Sequence, residues 1–160
     1  MKKALGENKN IYIRFAEPSD LKDLFRWRND KATRKASFDT DEITIEQHTK
    51  WFKKSLTNIN RNIFIICDKH CNKLGQIRFD KKIDTAEIDI TINPKYRNQG
   101  IGALSIFKSS NIYVNNFDIK KIIAKVKKNN TKSLKAFEKA DFRVYREYDD
   151  YIELWYENGR

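Results

Sequence analysis

The segment that most constrains the fold leads from an alternating strand into a helix that opens on two closely spaced glycines. Isoleucines alternate with polar residues over 86–92, which is typical of a strand with one buried face. Gly100 and Gly102 then precede apolar residues at helical spacing, and a further apolar strand is predicted at 121–126. A strand, a glycine turn, a helix and a second strand predict a β-α-β crossover, in which the two strands run parallel.

The glycine turn of this crossover suits a diphosphate. N–H groups at the start of a helix lack helical partners, the helix dipole favours negative charge there, and absent side chains let phosphate oxygens approach the backbone. The spacing of Gly100 and Gly102 differs from G-x-G-x-x-G and from the P-loop pattern, which disfavours dinucleotide-binding and P-loop proteins. A plain tight turn is the structural alternative.

The remaining segments predict an α/β fold, in layered α+β form, built on one sheet. The element order is β-α-α-β-β-β-α-β-α-β-β, in which the three strands before Gly100 form an antiparallel meander and the last two form a hairpin. The predicted strands cover 11–15, 63–67, 74–79, 86–92, 121–126, 142–145 and 152–156. The two helices that precede the meander open at Pro18 and Thr44.

The length and the scarcity of breaks predict one domain. The 160 residues include five Gly and two Pro, and no segment resembles a linker, so we expect a single domain over 1–160. Residues 1–10 are polar and predict a flexible N-terminus. Because no apolar run of about 18 residues and no apolar signal-peptide core occurs, we expect a cytoplasmic protein with no membrane partner.

The net charge and the cysteines restrict which partners and metal ions the chain is expected to bind. A formal charge of +11 favours nucleic acid, an acidic membrane or a small anionic ligand. No helix-turn-helix, finger or aromatic-basic strand pattern supports a nucleic-acid-binding module, so nucleic acid is not an expected partner. Cys67, His70 and Cys71 lack a second ligand pair, so we expect no metal and two reduced thiols, one of them buried in a strand.

Two motifs resemble those of the GNAT superfamily of N-acetyltransferases. Residues 97–102, Arg-Asn-Gln-Gly-Ile-Gly, match the R/Q-x-x-G-x-G/A pattern with which GNAT enzymes hold the pyrophosphate of CoA, and residues 130–142 are similar to N-x-x-[SA]-x-x-x-[YF]-E-K-x-G-F. The resemblance implies a central mixed, mostly antiparallel sheet flanked by about four helices, with acetyl-CoA as co-substrate. It places these residues at the cofactor: Thr91, Ile92, Arg97, Asn98, Gln99, Gly100, Ile101, Gly102, Ala103, Asn130, Ser133 and Phe137.

The second motif departs from the family pattern at two positions. Asp141 replaces the usual glycine, and because Asp tolerates turn conformations we expect the turn to survive. Phe137 stands where many GNAT enzymes carry a Tyr that protonates the departing thiolate, so that general acid is missing. Tyr148, Tyr151 or a water molecule are the remaining candidates for the group that protonates the thiolate.

Glu87 and His48 are the candidate catalytic residues. By its distance from the pyrophosphate motif, Glu87 resembles the catalytic glutamate of some GNAT enzymes, and backbone N–H groups at the end of its strand can polarise the thioester carbonyl. His48 has an ordinary pKa near neutrality and can orient or deprotonate an amine. A structural alternative stays open for each residue. Glu87 can simply belong to the polar face of a strand, and His48 can be a buried imidazole whose hydrogen bonds are satisfied.

The N-terminal third resembles that of bacterial nucleotide-linked amino-sugar N-acetyltransferases, which act on the 4-amine of a UDP-4-amino-4,6-dideoxy sugar. This resemblance implies an anionic nucleotide-sugar acceptor, whose diphosphate pairs with arginines and whose rings stack on Trp27 or Trp51. The predicted acceptor-binding residues are Trp27, Arg28, Asn29 and Arg78. The two tryptophans also fall on apolar helix faces, where a core position is the alternative.

The sequence also leaves two alternative functions and a possible homodimer. A ribosomal-protein N-terminal or other small-amine acetyltransferase shares the strand order and a first helix rich in Trp and Arg, but the charge of +11 favours an anionic acceptor. A basic nucleic-acid-binding module without enzymatic activity is a more remote alternative. The last hairpin has an edge that can pair with a second copy, so a homodimer is one expected assembly.

Overall fold

The computed structural model describes residues 10–157 and residue 159, so the predicted flexible N-terminus lies, except for Asn10, outside the described residues. Seven strands form one mixed sheet. They are β1 (Ile11–Phe15), β2 (Arg61–Asp68), β3 (Lys73–Lys81), β4 (Thr85–Ile92), β5 (Lys121–Lys127), β6 (Arg143–Glu147) and β7 (Tyr151–Glu157). Five α-helices accompany them: α1 (Leu21–Asn29), α2 (Lys31–Ala36), α3 (Ile45–Leu56), α4 (Ile101–Asn116) and α5 (Thr131–Lys139).

The strands follow the order β1-β2-β3-β4-β5-β7-β6. All neighbouring pairs are antiparallel except β4 and β5, which are parallel, so the predicted β-α-β crossover through α4 is confirmed. The closing hairpin inserts β7 between β5 and β6, which leaves β6 at the edge of the sheet. A homodimer formed through this edge stays a prediction.

The helices cover the two faces of the sheet unequally. On one face, α4 and α5 bury the larger apolar cluster, which includes Ile77, Ile106 and Leu154. On the other face, α1 and α3 pack on β2, where a smaller cluster joins Trp27 and Phe52 to the strand's inward-facing residues. Because successive side chains of a strand point to opposite faces, β2 contributes to both clusters: Phe64 and Ile66 belong to the larger one, and Ile63 and Ile65 to the smaller one.

A buried carboxylate fixes the start of α1. The side chain of Asp20 is fully buried; it accepts hydrogen bonds from Arg14 at 2.8 and 2.9 Å and lies 2.7 Å from Nζ of Lys73. Burial raises the pKa of Asp20, but the hydrogen bonds from Arg14 and Lys73 outweigh it and hold the pKa well below its usual range. The ion pairs therefore tie β1, β3 and the start of α1 together.

Helix α2 was absent from the sequence-based prediction, which placed two helices before the meander. Its six residues bury no side chain, so the segment has no apolar periodicity to detect. The local signal is instead a cap: the Asp30 carboxylate accepts a hydrogen bond from the backbone N–H of Thr33 at 3.0 Å. A short helix held by polar contacts escapes an argument based on hydrophobic spacing.

The cysteines lie as the sequence predicts. Cys67 is buried in β2, Cys71 is exposed, and both are free thiols. Within the described residues, no group of three or more His, Cys, Asp or Glu is arranged to hold a metal ion. The described helices are also too short or too polar to cross a membrane, and a cytoplasmic location stays a prediction.

Candidate active site

The sheet opens between β4 and β5. Among the described strand pairings, β4 meets β5 only over Thr85–Glu87, opposite Lys121–Ile123. β3 pairs with β4 as far as Ile92, and β5 pairs with β7 over 121–127. The edge of β4 over 88–92 therefore borders a gap, and its backbone N–H and C=O groups are available to a ligand there.

The loop after β4 turns the chain into α4 through left-handed residues. A 3-10 turn at Pro94–Tyr96 leads to Asn98 and Gly100, whose φ angles are 61° and 75°. Glycine adopts this conformation at no steric cost because it has no Cβ. A Cβ built at Gly100 would meet no heavy atom within 4 Å, so the space beside this residue is open.

The first turn of α4 presents its backbone to that open space. The side chains of Ile101 and Ala103 are buried, with 4% and 6% exposed, so they point into the core and leave only backbone for a ligand. The first helical hydrogen bond runs from the N–H of Leu104 to the carbonyl of Gly100 at 3.4 Å. The preceding N–H groups lack helical acceptors, and together with the helix dipole they favour an anion such as a diphosphate.

Arg97 of this loop is held by two residues at the start of α2. Its Nη2 donates to the Asp30 carboxylate and to the Thr33 hydroxyl, each at 2.7 Å. Burial raises the pKa of Asp30, but the hydrogen bond from Arg97 outweighs it, so the pKa lies below its usual value. Because Nη2 makes both contacts, the N–H groups on Nε and Nη1 of Arg97 remain for a ligand.

The start of α5 lies beside the same loop. Nζ of Lys132 donates to the side-chain oxygen of Asn98 at 3.1 Å. The side-chain oxygen of Asn130 accepts from the N–H of Ser133 at 3.2 Å, so this predicted cofactor residue also serves as the N-cap of α5. Lys132 was not predicted, although it lies inside the second motif. Its flexible cation places positive charge beside the turn at 97–102.

Phe137 and Asp141, the two departures from the family pattern, have clear structural roles. Phe137 was predicted to contact the cofactor, but its ring is 3% exposed and packs against Phe142 with centroids 5.0 Å apart, so it belongs to the core. Asp141 adopts a φ of 70°, the left-handed conformation that the missing glycine would take. The turn survives, as the sequence analysis expected.

Glu87 lies where β4 and β5 separate. Its carboxylate is 39% exposed and lies 3.5 Å from Nζ of Lys125. Asp89 and Thr91 share its face of the strand, and both lie within hydrogen-bond reach of the Gln76 amide, at 3.2 and 3.4 Å. Glu87 is thus a polar-face residue, as the alternative held, and it is also solvent-accessible at the point where the gap begins.

His48 is a buried residue between α1 and α3, which corrects its predicted catalytic role. It is 2% exposed, and its Nε2 lies 3.0 Å from the carbonyl oxygen of Leu21, so Nε2 carries the proton and donates it. Its ring stacks on Phe52 with centroids 6.0 Å apart. Burial lowers the pKa of His48 and keeps the ring neutral. An imidazole enclosed in this way cannot reach a substrate amine.

Trp27 is likewise part of the core, against the prediction that it stacks on the acceptor. It is 3% exposed and packs with Leu24 and Phe52. The indole borders the groove beside α1, but at 3% exposure it presents too little surface for a sugar or a base to stack on. The core alternative for Trp27 is therefore correct.

Asn29 and Arg28 hold the connection between α2 and α3. The Asn29 amide donates to the carbonyl of Ile43 at 2.8 Å and accepts from its N–H at 2.9 Å. The Arg28 guanidinium donates to the carbonyls of Asp41 and Asp39 at 3.3 and 3.4 Å. These contacts give both side chains a structural role. Because each side chain keeps further donors, their predicted role in acceptor binding stays a prediction.

A cationic cluster around Trp51 lies on the same sheet face as Glu87. The guanidinium carbons of Arg61 and Arg78 lie 5.6 and 5.7 Å from the Trp51 ring centroid. Asp80 accepts from both arginines, at 2.5 and 3.0 Å, and Asp80 is paired with Glu87 across β3 and β4. Of this cluster, sequence analysis assigned a role to Arg78 and Trp51 and missed Arg61, because nothing local links these residues.

A shallow groove of about 560 Å³ runs between α1 and the loop that follows β4. Arg26, Lys73 and Lys95 border it. Lys73 is paired with Asp23 at 2.8 Å, and Arg26 contacts the same carboxylate, whereas Lys95 lies over the Tyr96 ring. The groove therefore offers a mixed-charge surface that ends at Tyr96, just before the turn at 97–102.

Comparison with known proteins gives one family match and several similar structures. A family model described as an acetyltransferase (GNAT) domain matches residues 10–143. The Bacillus subtilis (strain 168) protein YwnH, provisionally named a phosphinothricin acetyltransferase, is 28% identical over 137 residues, which cover 81% of this chain and 82% of that protein. The segment that the family model matches includes the gap, the turn at 97–102 and all of α5.

Two solved structures share the fold. The spermidine N-acetyltransferase of Vibrio cholerae, in complex with CoA and spermine, superposes with a TM-score of 0.85 at 17% identity and covers 92% of this chain and 95% of that chain. A provisionally named phosphinothricin N-acetyltransferase superposes with a TM-score of 0.78 at 24% identity and covers 94% of this chain and 100% of that chain. At these identities the likeness establishes the fold alone.

Proposed function

The chain belongs to the GNAT family of acetyltransferases, and we propose that it acetylates a small amine that also carries an anionic group, namely the 4-amino group of a UDP-linked amino-dideoxy sugar. The activity itself is acetyl-CoA-dependent N-acetyl transfer. The observation that carries the proposal is the pairing of an anion-binding turn at 97–102 with a gap in the sheet directly beside it.

The residues around the turn fit the diphosphate of acetyl-CoA. The open side of Gly100 leaves room for phosphate oxygens, and the first-turn N–H groups of α4 point into that room. Arg97 and Lys132 add positive charge. The unpaired edge of β4 at 88–92 extends from the turn, so its N–H groups suit the amide arm and the thioester carbonyl of the same molecule.

Glu87 is the proposed proton acceptor for the reaction. The amine nitrogen must be neutral to attack; it forms a bond to the acetyl carbon, the bond from that carbon to sulfur breaks, and the amine gives up one proton. Glu87 lies at the point where the gap begins and takes that proton directly or through a water. Tyr148, Tyr151 or water returns a proton to the departing thiolate, because Phe137 has none to give.

The acceptor is proposed to be anionic because of the charge that surrounds the gap. The chain carries a formal charge of +11, and Arg61 and Arg78 line the sheet face that continues from Glu87. Arg78 donates to Asp80 from its five-donor fork, and Arg61 donates to Asp80 and to the Ser55 hydroxyl; both guanidinium groups keep other N–H groups for a phosphate. Trp51, which is 36% exposed, is the aromatic surface in this cluster that a uracil or sugar can contact.

A small amine without an anionic group is the second candidate. Glu87 and Asp89 place two carboxylates on one strand face beside the gap, which suits a cationic acceptor such as a polyamine. The name of one similar protein refers to spermidine, a polycation that fits this candidate. The name of another refers to phosphinothricin, whose carboxylate and phosphinate groups make it an anionic small amine instead.

Steady-state assays with three acceptors separate the candidates. We expect acetylation of a UDP-4-amino-4,6-dideoxy sugar, and we expect Arg78→Gln to raise its KM about tenfold while the KM for acetyl-CoA stays unchanged. Lys53→Gln, which removes one exposed charge from α3, is the matched control. Acetylation of spermidine alone would favour the second candidate. Acetylation of phosphinothricin alone would keep an anionic small amine as the acceptor but refute the nucleotide sugar, and an Arg78→Gln enzyme with normal KM would refute the role of the cluster.

A further inference from the structure

Helix α2 spans from the anion-binding turn to the far side of the gap. At its end, the carbonyl of Lys35 accepts a hydrogen bond from Nζ of Lys127, in β5, at 3.2 Å. Just beyond it, Phe38 packs edge-on against Tyr151, in β7, with centroids 5.8 Å apart. Because α2 buries none of its side chains, its position depends on these contacts, on those at its start, and on Arg34, which donates to the carbonyls of Asn29 and Thr40 at 3.2 and 3.4 Å.

The contacts at the start of α2 form a closed triangle. The Thr33 hydroxyl donates to the Asp30 carboxylate at 3.2 Å and accepts from Nη2 of Arg97 at 2.7 Å. Nη2 donates its second proton to Asp30, also at 2.7 Å. Asp30 is both the C-cap of α1 and the N-cap of α2, so the triangle fixes the connection between these two helices.

We propose that Asp30 and Thr33 are positioning residues that couple occupation of the Arg97 turn to the placement of α2 across the gap. The inference rests on the proposed binding of acetyl-CoA at that turn. A diphosphate that engages the free N–H groups of Arg97 restricts this side chain, and the restricted Nη2 then holds Asp30 and Thr33 in place. By linkage, a well-placed α2 strengthens cofactor binding by the same factor.

Amide hydrogen exchange measures this coupling without an acceptor. CoA is the probe, and the ratio of exchange rates with and without saturating CoA is determined for the amides of 31–37. In the unmodified protein we expect CoA to slow this exchange at least about fivefold, the lower end of ordinary coupling between sites. Each variant is compared by the same ratio, because the ratio cancels any change that a substitution makes in the ligand-free helix.

Thr33 offers a matched pair of variants that leaves all charges unchanged. Thr33→Val has nearly the same shape but no hydroxyl, so we expect the response of 31–37 to CoA to fall below about twofold and the Kd for CoA to rise about threefold. Thr33→Ser keeps the hydroxyl and should restore both values. Asp30→Asn keeps a good N-cap but removes the charge, and it should also weaken the response; Asp84→Asn is its charge-matched control.

Three results would decide the matter. A CoA-dependent slowing that Thr33→Val and Asp30→Asn abolish and Thr33→Ser retains would support the coupling. CoA binding that leaves exchange over 31–37 unchanged, or a Thr33→Val response equal to that of the unmodified protein, would overturn it. If Gly100→Val bound CoA normally, the proposed cofactor site would fail instead, and the coupling would fail with it.

Discussion

Replacing Gly100 and Gly102 by alanine, one at a time, should change the stability of the protein in opposite directions. Gly100 has a φ of 75°, in the left-handed region, whereas Gly102 lies in the first turn of α4 with no positive φ. An alanine Cβ at Gly102 would lie 3.9 Å from Cγ1 of Ile92 and 4.0 Å from Cβ of Ala136, which is ordinary van der Waals contact. One substitution is therefore strained and the other fits.

The magnitudes follow from the backbone. A non-glycine residue in the left-handed conformation costs about 1–2 kcal/mol, so Gly100→Ala should lower the Tm by about 2–8 °C for a chain of this length. Glycine in a helix costs about 0.5–1 kcal/mol relative to alanine, and the first-turn position favours the lower value, so Gly102→Ala should raise the Tm by about 1–2 °C.

Thermal unfolding with and without CoA tests both effects together. The methyl group of Gly100→Ala projects into the space proposed for the diphosphate, so we expect the CoA-induced rise in Tm to shrink and the Kd to rise about tenfold. Gly102→Ala places its methyl between Ile92 and Ala136 and should keep the full response. Equal CoA responses from the two variants, or a destabilised Gly102→Ala, would refute the reasoning.

Three further predictions concern single residues. Asp141→Gly should stabilise the protein by about 1 kcal/mol in chemical denaturation, because Asp141 has a φ of 70°. His48 is buried with a lowered pKa, so below its ordinary value of 6.5 the unfolded chain binds a proton that the folded chain does not, and stability should fall as the pH drops through that value. His48→Gln should remove this pH dependence while keeping an N–H donor for the carbonyl of Leu21. If the free energy of unfolding of the variant changed with pH between about 5 and 6.5 as steeply as that of the unmodified protein, the prediction would be wrong. Glu87→Gln should lower kcat by about 10²-fold or more without changing the Tm, and Asp89→Asn on the same face should have a much smaller effect on kcat.

The parts of the fold that sequence predicts well are those with strong local periodicity. The alternation at 86–92 and the glycines at 100 and 102 define a strand and a helix start, and the parallel pairing of β4 with β5 follows from the crossover. Helix α2 escaped prediction because its stability comes from the Asp30 cap and from contacts with distant strands.

In the candidate site too, sequence predicts the features that are local and misses those that depend on distant contacts. The turn at 97–102 is recognisable because glycine and a helix start are local features. Helical spacing alone cannot distinguish a buried Trp27 or His48 from one that faces a ligand, since both faces of α1 and α3 carry aromatic residues. The triangle of Arg97, Asp30 and Thr33 joins segments 64 and 67 residues apart, so no local pattern reveals it.

The central claim, that acetyl-CoA binds at the turn that opens α4, is tested most directly by calorimetric titration of acetyl-CoA into the unmodified protein and into Gly100→Val. The account predicts one-to-one binding to the unmodified protein and none to Gly100→Val, with circular dichroism confirming that the variant is folded. Equal binding to both proteins, or no binding to the unmodified protein, would contradict it.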